Sequence, residues 1–244
     1  MSFSIRCCMV PMLEWCEIPA GSVVIQGVPR PVRAFRMAKY PVTWAQYELF
    51  VKEGGYDVPG YWTEAGWAWK GARRQPACWN DPEWHVHDHP VNGVTWYEAY
   101  AFTRWLSTTT KREINLPTEG QWQRAAQGDD GREYPWGNEF DPMRCNTTES
   151  ALGRTTPVTC YPKGTSPFGV LDLSGNVWEW CLPKWTAPYQ FPEDLDVEGT
   201  QVRVQRGGAF DFDPTHARVA FRDDTRPSNH RTHDGFRVVW IGDG

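Results

Sequence analysis

Between Arg206-Gly207-Gly208 and Gly235-Phe236-Arg237 the chain crowds together groups able to bind or react. Carboxylates stand at Asp211, Asp213, Asp223 and Asp224, imidazoles at His216, His230 and His233, and a guanidinium at Arg231. Hydroxyls at Thr215, Thr225, Ser228 and Thr232, the amide of Asn229 and the rings of Phe212 and Phe221 complete the set. Neither a helical nor a strand period runs through it, so core packing does not explain the mixture. Acids, bases and hydroxyls at this density suit a catalytic loop. Aromatics among short polar groups suit a binding surface. A polar loop with no further role is the third reading, since loops are polar by default.

Other clusters carry their own chemistry. In "DLSGNVWEW" the carboxylates of Asp172 and Glu179 stand near the backbone carbonyls of Gly175 and Val177. Hard oxygen ligands around a tight turn suit Ca²⁺; the same carboxylates can instead cap a turn or pair with arginine. "HVHDHP" sets His85, His87 and His89 at alternate positions, a face that could hold zinc or copper, although a solvated turn explains it with fewer assumptions. "NTT" at 146–148 fits a glycosylation sequon, and "KGARR" at 70–74 is a short basic patch on an acidic chain. The seven cysteines are Cys7, Cys8, Cys16, Cys78, Cys145, Cys160 and Cys181; no C-x-x-C pair occurs, which argues against a zinc knuckle.

What positions these groups must be read from pattern and composition. A chain of 244 residues, 40% apolar and 23% charged, suits an ordinary globular domain. Its 15 Trp and 22 Gly point to a loop-rich fold pinned by indoles. A net charge of −5 offers no field for nucleic acid or anionic lipid. No apolar run approaches the ~20 residues of a membrane helix, and the first residues lack the pattern of a signal peptide, so reduced thiols in the cytoplasm are expected.

Three helices announce themselves through capping boxes: Thr43 with Gln46, Thr95 with Glu98, and Thr118 with Gln121. Gly54-Gly55 should end the first and Gly128 the third. Strands are expected at 22–27, 203–208, 217–222 and 235–241. The long Pro/Gly-rich stretches 54–90 and 128–170 read as ordered irregular structure. The expectation is one α+β domain over 1–244, with its N- and C-terminal strands meeting.

Six segments in order carry a family resemblance: "IPAGSVVIQG" (18–27), "FRMAKYPVTWAQYELFV" (35–51), "HPVNGVTWYEAYAFTRWLS" (89–107), "LPTEGQWQRAAQG…YPWGN" (116–138), "SPFGVLDLSGNVWEWC" (166–181) and the closing "RVQRGGAF…GFRVV". Together they resemble the formylglycine-generating-enzyme, or sulfatase-modifying-factor, type of the C-type lectin fold. The resemblance implies that fold for nearly the whole chain, with structural calcium at the Asp172–Glu179 motif.

The enzymes of that family bind copper through two cysteines between the RGG and GFR strands. Here no cysteine follows Cys181, and Ala209 stands where a serine commonly follows RGG. The iron-dependent sulfoxide synthases of the family carry their histidine ligands in a separate helical domain, for which 244 residues leave no room. No copper and no catalysis are therefore expected. The fixed Arg/Gly/Pro framework with interposed residue types reachable from Asn codons is similar to the variable proteins of diversity-generating retroelements. That resemblance implies a diversified ligand-binding surface over about 210–234, taking a protein ligand. The alternatives are an oxidoreductase of the formylglycine-generating or sulfoxide-synthase kind, or a subunit docking such an enzyme.

Overall fold

A computed structural model describes residues 10–242. Cys7 and Cys8 lie outside them, as do the first nine residues of the stretch expected to lack a signal peptide.

All three capping boxes form. In α1 (Trp44–Lys52), α3 (Trp96–Thr110) and α4 (Glu119–Gln127) the threonine hydroxyl accepts from the third helical amide, and the Gln or Glu there accepts from the threonine's own amide. Two otherwise orphaned donors are met at each N-terminus by local chemistry alone. Helix α3 outruns its expected end at Ser107. The hydroxyls of Thr108, Thr109 and Thr110 donate to the carbonyls of Arg104, Trp105 and Leu106, and Lys111 ends the helix in a left-handed conformation. Helix α2 (Glu64–Lys70), capped by Thr63, has no counterpart in the sequence reading, because its cap is followed by Gly66 rather than a Gln or Glu.

Strands β1 (Trp15–Ile18), β2 (Gly21–Ile25), β3 (Val28–Val32) and β4 (Phe35–Ala38) open the chain. Then come β5 (Ile114–Asn115), β6 (Trp178–Lys184), β7 (Arg203–Arg206), β8 (Asp223–Thr225), β9 (Asp234–Gly235) and β10 (Val239–Trp240). They make a sheet ordered β1-β4-β10-β5, a β2-β3 hairpin, and a sheet ordered β8-β7-β6-β9. The terminal strands do approach, with β4 between them. The expected strand 235–241 is split: β9 runs parallel to β6, and β10 crosses to lie between β4 and β5. Between them the carbonyls of Phe236 and Val238 accept from Val42 and Ala38. The expected strand 217–222 is a run of turns, with the Val219 amide donating to Glu133 instead of a ladder.

Apolar packing falls into two clusters. One surrounds α1 and α3 with Trp44, Phe50, Trp96, Phe102, Trp180 and Phe236; the other joins α4 to the hairpin through Trp122, Val23, Ile25 and Leu173. Strand β6 contributes to both: alternation along it sends Trp180 to the first and Cys181 to the second. Between the clusters lies a buried ion pair. Arg237 donates from Nε to Glu179 Oε2 at 2.7 Å and from a terminal nitrogen to Oε1 at 2.6 Å, while the Trp122 indole donates to Oε2 at 2.7 Å. Removing one partner strands a buried charge, so Glu179→Gln is expected to lower the unfolding free energy by about 3–5 kcal/mol, measured by chemical denaturation.

Candidate functional site

Segment 210–234 begins where β7 ends in two glycines. Gly207 and Gly208 have φ of +99° and +71°, and a Cβ on Gly208 would meet the His216 carbonyl and the Ala217 amide at 3.0 Å. Only glycine lets the chain fold back this tightly. The returning segment is tied down by its backbone. The Phe212 carbonyl accepts from Thr148, the Ala217 carbonyl from the Ser174 hydroxyl, and the Phe210 amide donates to Asn176. The segment is therefore ordered, with framework residues Phe210, Ala217, Val219 and Pro227 buried and most side chains between them reaching solvent.

Not all fifteen expected site residues meet. Asp211, Phe212, Asp213, His216, Phe221 and His233 gather around Trp178, the first residue of β6. The Phe212 ring lies edge-on to Trp178 at 5.3 Å, Phe221 lies at 6.0 Å and His216 at 6.4 Å. His216 and His233 sit 5.1 and 5.2 Å from Phe212, and His216 lies 4.6 Å from Phe221. Beneath these rings Trp178 is 1% exposed, and its indole N–H meets no acceptor among the described residues. A buried donor left unmet costs about 1–3 kcal/mol, which marks this as a place where packing is not arranged for stability alone.

The electrostatics of the cluster rest on two imidazole–carboxylate pairs. His233 Nδ1 lies 2.8 Å from Asp211 Oδ2, and His216 Nδ1 lies 3.1 Å from Asp213 Oδ1. A carboxylate accepts, so each Nδ1 carries the proton; among the described residues His216 Nε2 is the free edge of its ring, whereas His233 Nε2 faces a buried carboxylate. The hydrogen bond from His216, with the amide of Thr215, holds the Asp213 carboxyl below its ordinary value. His233 Nε2 stands 3.9 Å from Asp234 Oδ1, which itself accepts from the Gln205 amide at 2.8 Å; burial raises the Asp234 carboxyl.

The remaining expected residues lie apart from Trp178. Asp223, Asp224 and Thr225 form β8, and Thr225 is buried, its hydroxyl accepting from Asn229. Burial, with Asp223 beside it, raises Asp224. Ser228 and His230 turn toward α2, where His230 lies 6.3 Å from Trp69. Thr215, Arg231 and Thr232 line the open surface. Sequence reasoning missed Trp178, Gln205 and Asp234. Trp178 stood inside the "GNVWEW" motif, and its place in a strand next to the segment was the usable signal.

The calcium expectation at Asp172, Gly175, Val177 and Glu179 does not fit the geometry. Both Glu179 oxygens already accept hydrogen bonds, Oε1 from Arg237 and Oε2 from Arg237 and Trp122, and a cation beside that guanidinium would be repelled. Asp172 accepts from Asn176 at 2.8 Å, and burial pushes its carboxyl up to about 7, against the favourable pull of Asn176 and Arg237. The Gly175 carbonyl accepts from the Val177 amide. Among the described residues no group of three or more His, Cys, Asp or Glu is placed to hold a metal. The three histidines of "HVHDHP" separate: His85 and His87 face Glu48, while His89 bonds Thr155. The described cysteines are free, and burial pushes the Cys78 and Cys145 thiols up to about 11 and about 12. Among the described residues no helix is long and apolar enough to cross a membrane.

The model of the sulfatase-modifying factor enzyme 1-like domain matches residues 18–241. Hercynine oxygenase of Mycolicibacterium smegmatis is 31% identical over 234 residues, covering 86% of this chain and 53% of that protein. The chain thus spans about half the length of that relative. Formylglycine-generating enzyme of Thermomonospora curvata is 33% identical over 267 residues, covering 86% of this chain and 84% of that protein. Among solved structures, Treponema denticola variable protein 1 superposes with a TM-score of 0.69 at 18% identity, over 94% of this chain and 95% of the other. The α+β architecture of the formylglycine-generating, C-type-lectin-like kind is the fold of this chain. The expectation that the chain is not an enzyme is overturned by these relatives, which are named enzymes across most of its length. Absence of one ligand pair excludes catalysis only for a reaction that uses that pair.

Two measurements test the buried carboxylates. EDTA is expected to leave the melting temperature unchanged, whereas a calcium ion held by the native state alone would make it fall. Asp172 has a native value raised above its unfolded one, so its contribution is complete below about pH 4 and is lost as pH rises through about 7. Asp172→Asn should therefore flatten the decline in melting temperature between pH 4 and pH 8.

Proposed function

Because the chain belongs to the sulfatase-modifying factor enzyme 1-like family, we propose that it is the substrate-binding part of an oxidoreductase, its substrate seated over Trp178 between His216 and His233. The observation that carries this reading is the pair of imidazoles, each fixed through Nδ1 by an aspartate, with His216 Nε2 free among the described residues and His233 Nε2 3.9 Å from Asp234. An imidazole so held takes a proton at Nε2 from a substrate group and returns it in a later step. Asp211 and Asp213 set tautomer and orientation and stabilise the ring while it is charged. Phe212 and Phe221, packed over buried Trp178, exclude water from one side and offer their own rings to a flat or cationic group. The names of two relatives, hercynine oxygenase and formylglycine-generating enzyme, support an oxidation as the reaction class. The lack of a cysteine after Cys181 favours the oxygenase over the copper-dependent route that the family resemblance implies.

The test is oxygen uptake and product mass with hercynine or a cysteine-containing sulfatase-type peptide, in the presence of Fe²⁺ or Cu⁺. His233→Gln is expected to lower turnover by about 100-fold, with a melting temperature within about 2 °C of the wild type. Turnover equal in the variant and the wild type, or none above a heat-denatured control with either substrate, would sink this reading.

A second reading concerns the origin of the surface. Of the fifteen interposed residues only Thr225 is buried, which supports a ligand-facing face shaped by targeted diversification. A near-copy of the codons for 206–237, differing at adenines and lying beside a reverse-transcriptase gene, is the expected finding. A genome lacking such a copy removes that origin while leaving the substrate reading in place.

A further inference from the structure

Away from Trp178, helix α2 and the end of segment 210–234 enclose a second cavity of about 650 Å³, within the range of small-molecule sites. Its floor follows from helical spacing. Ala65, Ala68 and Trp69 fall on one face of α2, and the two alanines leave room that larger side chains would fill. Tyr97 of α3 and Pro227 complete an apolar wall, with the Tyr97 ring 6.0 Å from that of Trp69. Arg73 lies over Trp69 at 4.6 Å and donates to the Trp69 carbonyl, so the indole is clamped from a neighbouring turn.

Polar groups are few and one-sided. Arg226 lines the cavity, is exposed, and pairs with no carboxylate among the described residues, unlike the buried Arg206, Arg222 and Arg237. Hydroxyls of Thr200 and Ser228 flank it. Acids stand beyond the lining, where Glu198 accepts from the first amide of α2 and so is already engaged. An unpaired guanidinium at one end of an indole-and-phenol-walled cleft selects a flat apolar body carrying an anionic group.

We propose that this cleft between α2 and Arg226 binds a small planar aromatic anion, the ring against Trp69 and Tyr97 and the carboxylate or phosphate on Arg226. None of its lining residues belongs to the cluster around Trp178, so the site is separate from the one proposed for the substrate. The anion's own chemistry, carboxylate or phosphate, is resolved by the choice of probe.

Isothermal titration of the full chain with 2-naphthoate, 2-naphthyl phosphate and neutral 2-naphthylmethanol tests this. Saturable binding of at least one anion, and weaker binding of the neutral analogue, is expected. Arg226→Gln should weaken the anion by about tenfold and leave the alcohol unchanged. Ala68→Leu, a helix-compatible change at an exposed position, should abolish binding by filling the floor. His233→Gln should leave binding untouched, which separates this proposal from the substrate reading. Absence of saturation with every probe, or equal binding in wild type and Ala68→Leu with unchanged melting curves, would overturn it.

Discussion

The hydrogen-bonded pair of Glu179 and Arg237 is the constraint from which the arrangement of the molecule follows. A guanidinium taken fully out of water must find a partner for nearly every N–H, and Arg237 does so by reaching several separate stretches of chain. Besides Glu179 it donates to the carbonyls of Ala38 and Lys39 at the end of β4 and to those of Leu171 and Asp172 before β6. The two sheets are thereby referred to a single side chain, and β6 cannot shift its register without stranding a charge. Because Trp178 precedes Glu179 on that strand, the floor of the candidate substrate site inherits its position from this pair. Isolated ion pairs add little to stability on average; here the value lies in geometry, since a rigid floor is what lets the side chains above it meet a substrate in one orientation.

A second buried network does the same for the segment above. Glu119, at the start of α4, accepts from Arg206 at 2.5 Å and also from Arg222, while Arg206 donates to Gln123 and to the Val219 carbonyl. Arg222 in turn lies over Trp185 at 4.2 Å. The entrance and the midpoint of the segment are thus fastened to one carboxylate. The side chains between them are left to face outward. This division of labour explains why the segment shows no packing period: its support comes from backbone hydrogen bonds and buried arginines, and its other side chains are released from core duty.

How legible each feature was depended on the range of its cause. The three capping boxes were read correctly because each is satisfied within four residues. Their helices then buried Tyr47, Phe50, Ala99 and Phe102 as the spacing required. Strand β5 exists only through a partner far away, so no local pattern announces it; the run 235–241 announced a single strand, which distant partners split into β9 and β10. Glu179 is the sharpest case. Its motif looked like a turn fit for a hard cation, and the partner that claims both oxygens lies 58 residues on. The site was half legible: the mixture of residue types marked the segment, yet its division between Trp178 and α2 depends on how the chain crosses from β8 to β9. The question of catalysis was misjudged for a related reason, since a missing ligand pair speaks about one reaction and leaves others open.

The placement of β10 has a kinetic consequence. Val239 pairs with Met37 on one side and Asn115 on the other, so a sheet begun by the first strands is completed from the far end of the chain. Closing loops of that length must precede the contacts that reward them, which slows the search for the native state. Until Val239 arrives, the facing edges of β4 and β5 offer unpaired amides and carbonyls to any other strand. A nascent or partly unfolded chain would therefore present an adhesive edge in the middle of its future core, and its yield in the cell would depend on how long that edge stays open.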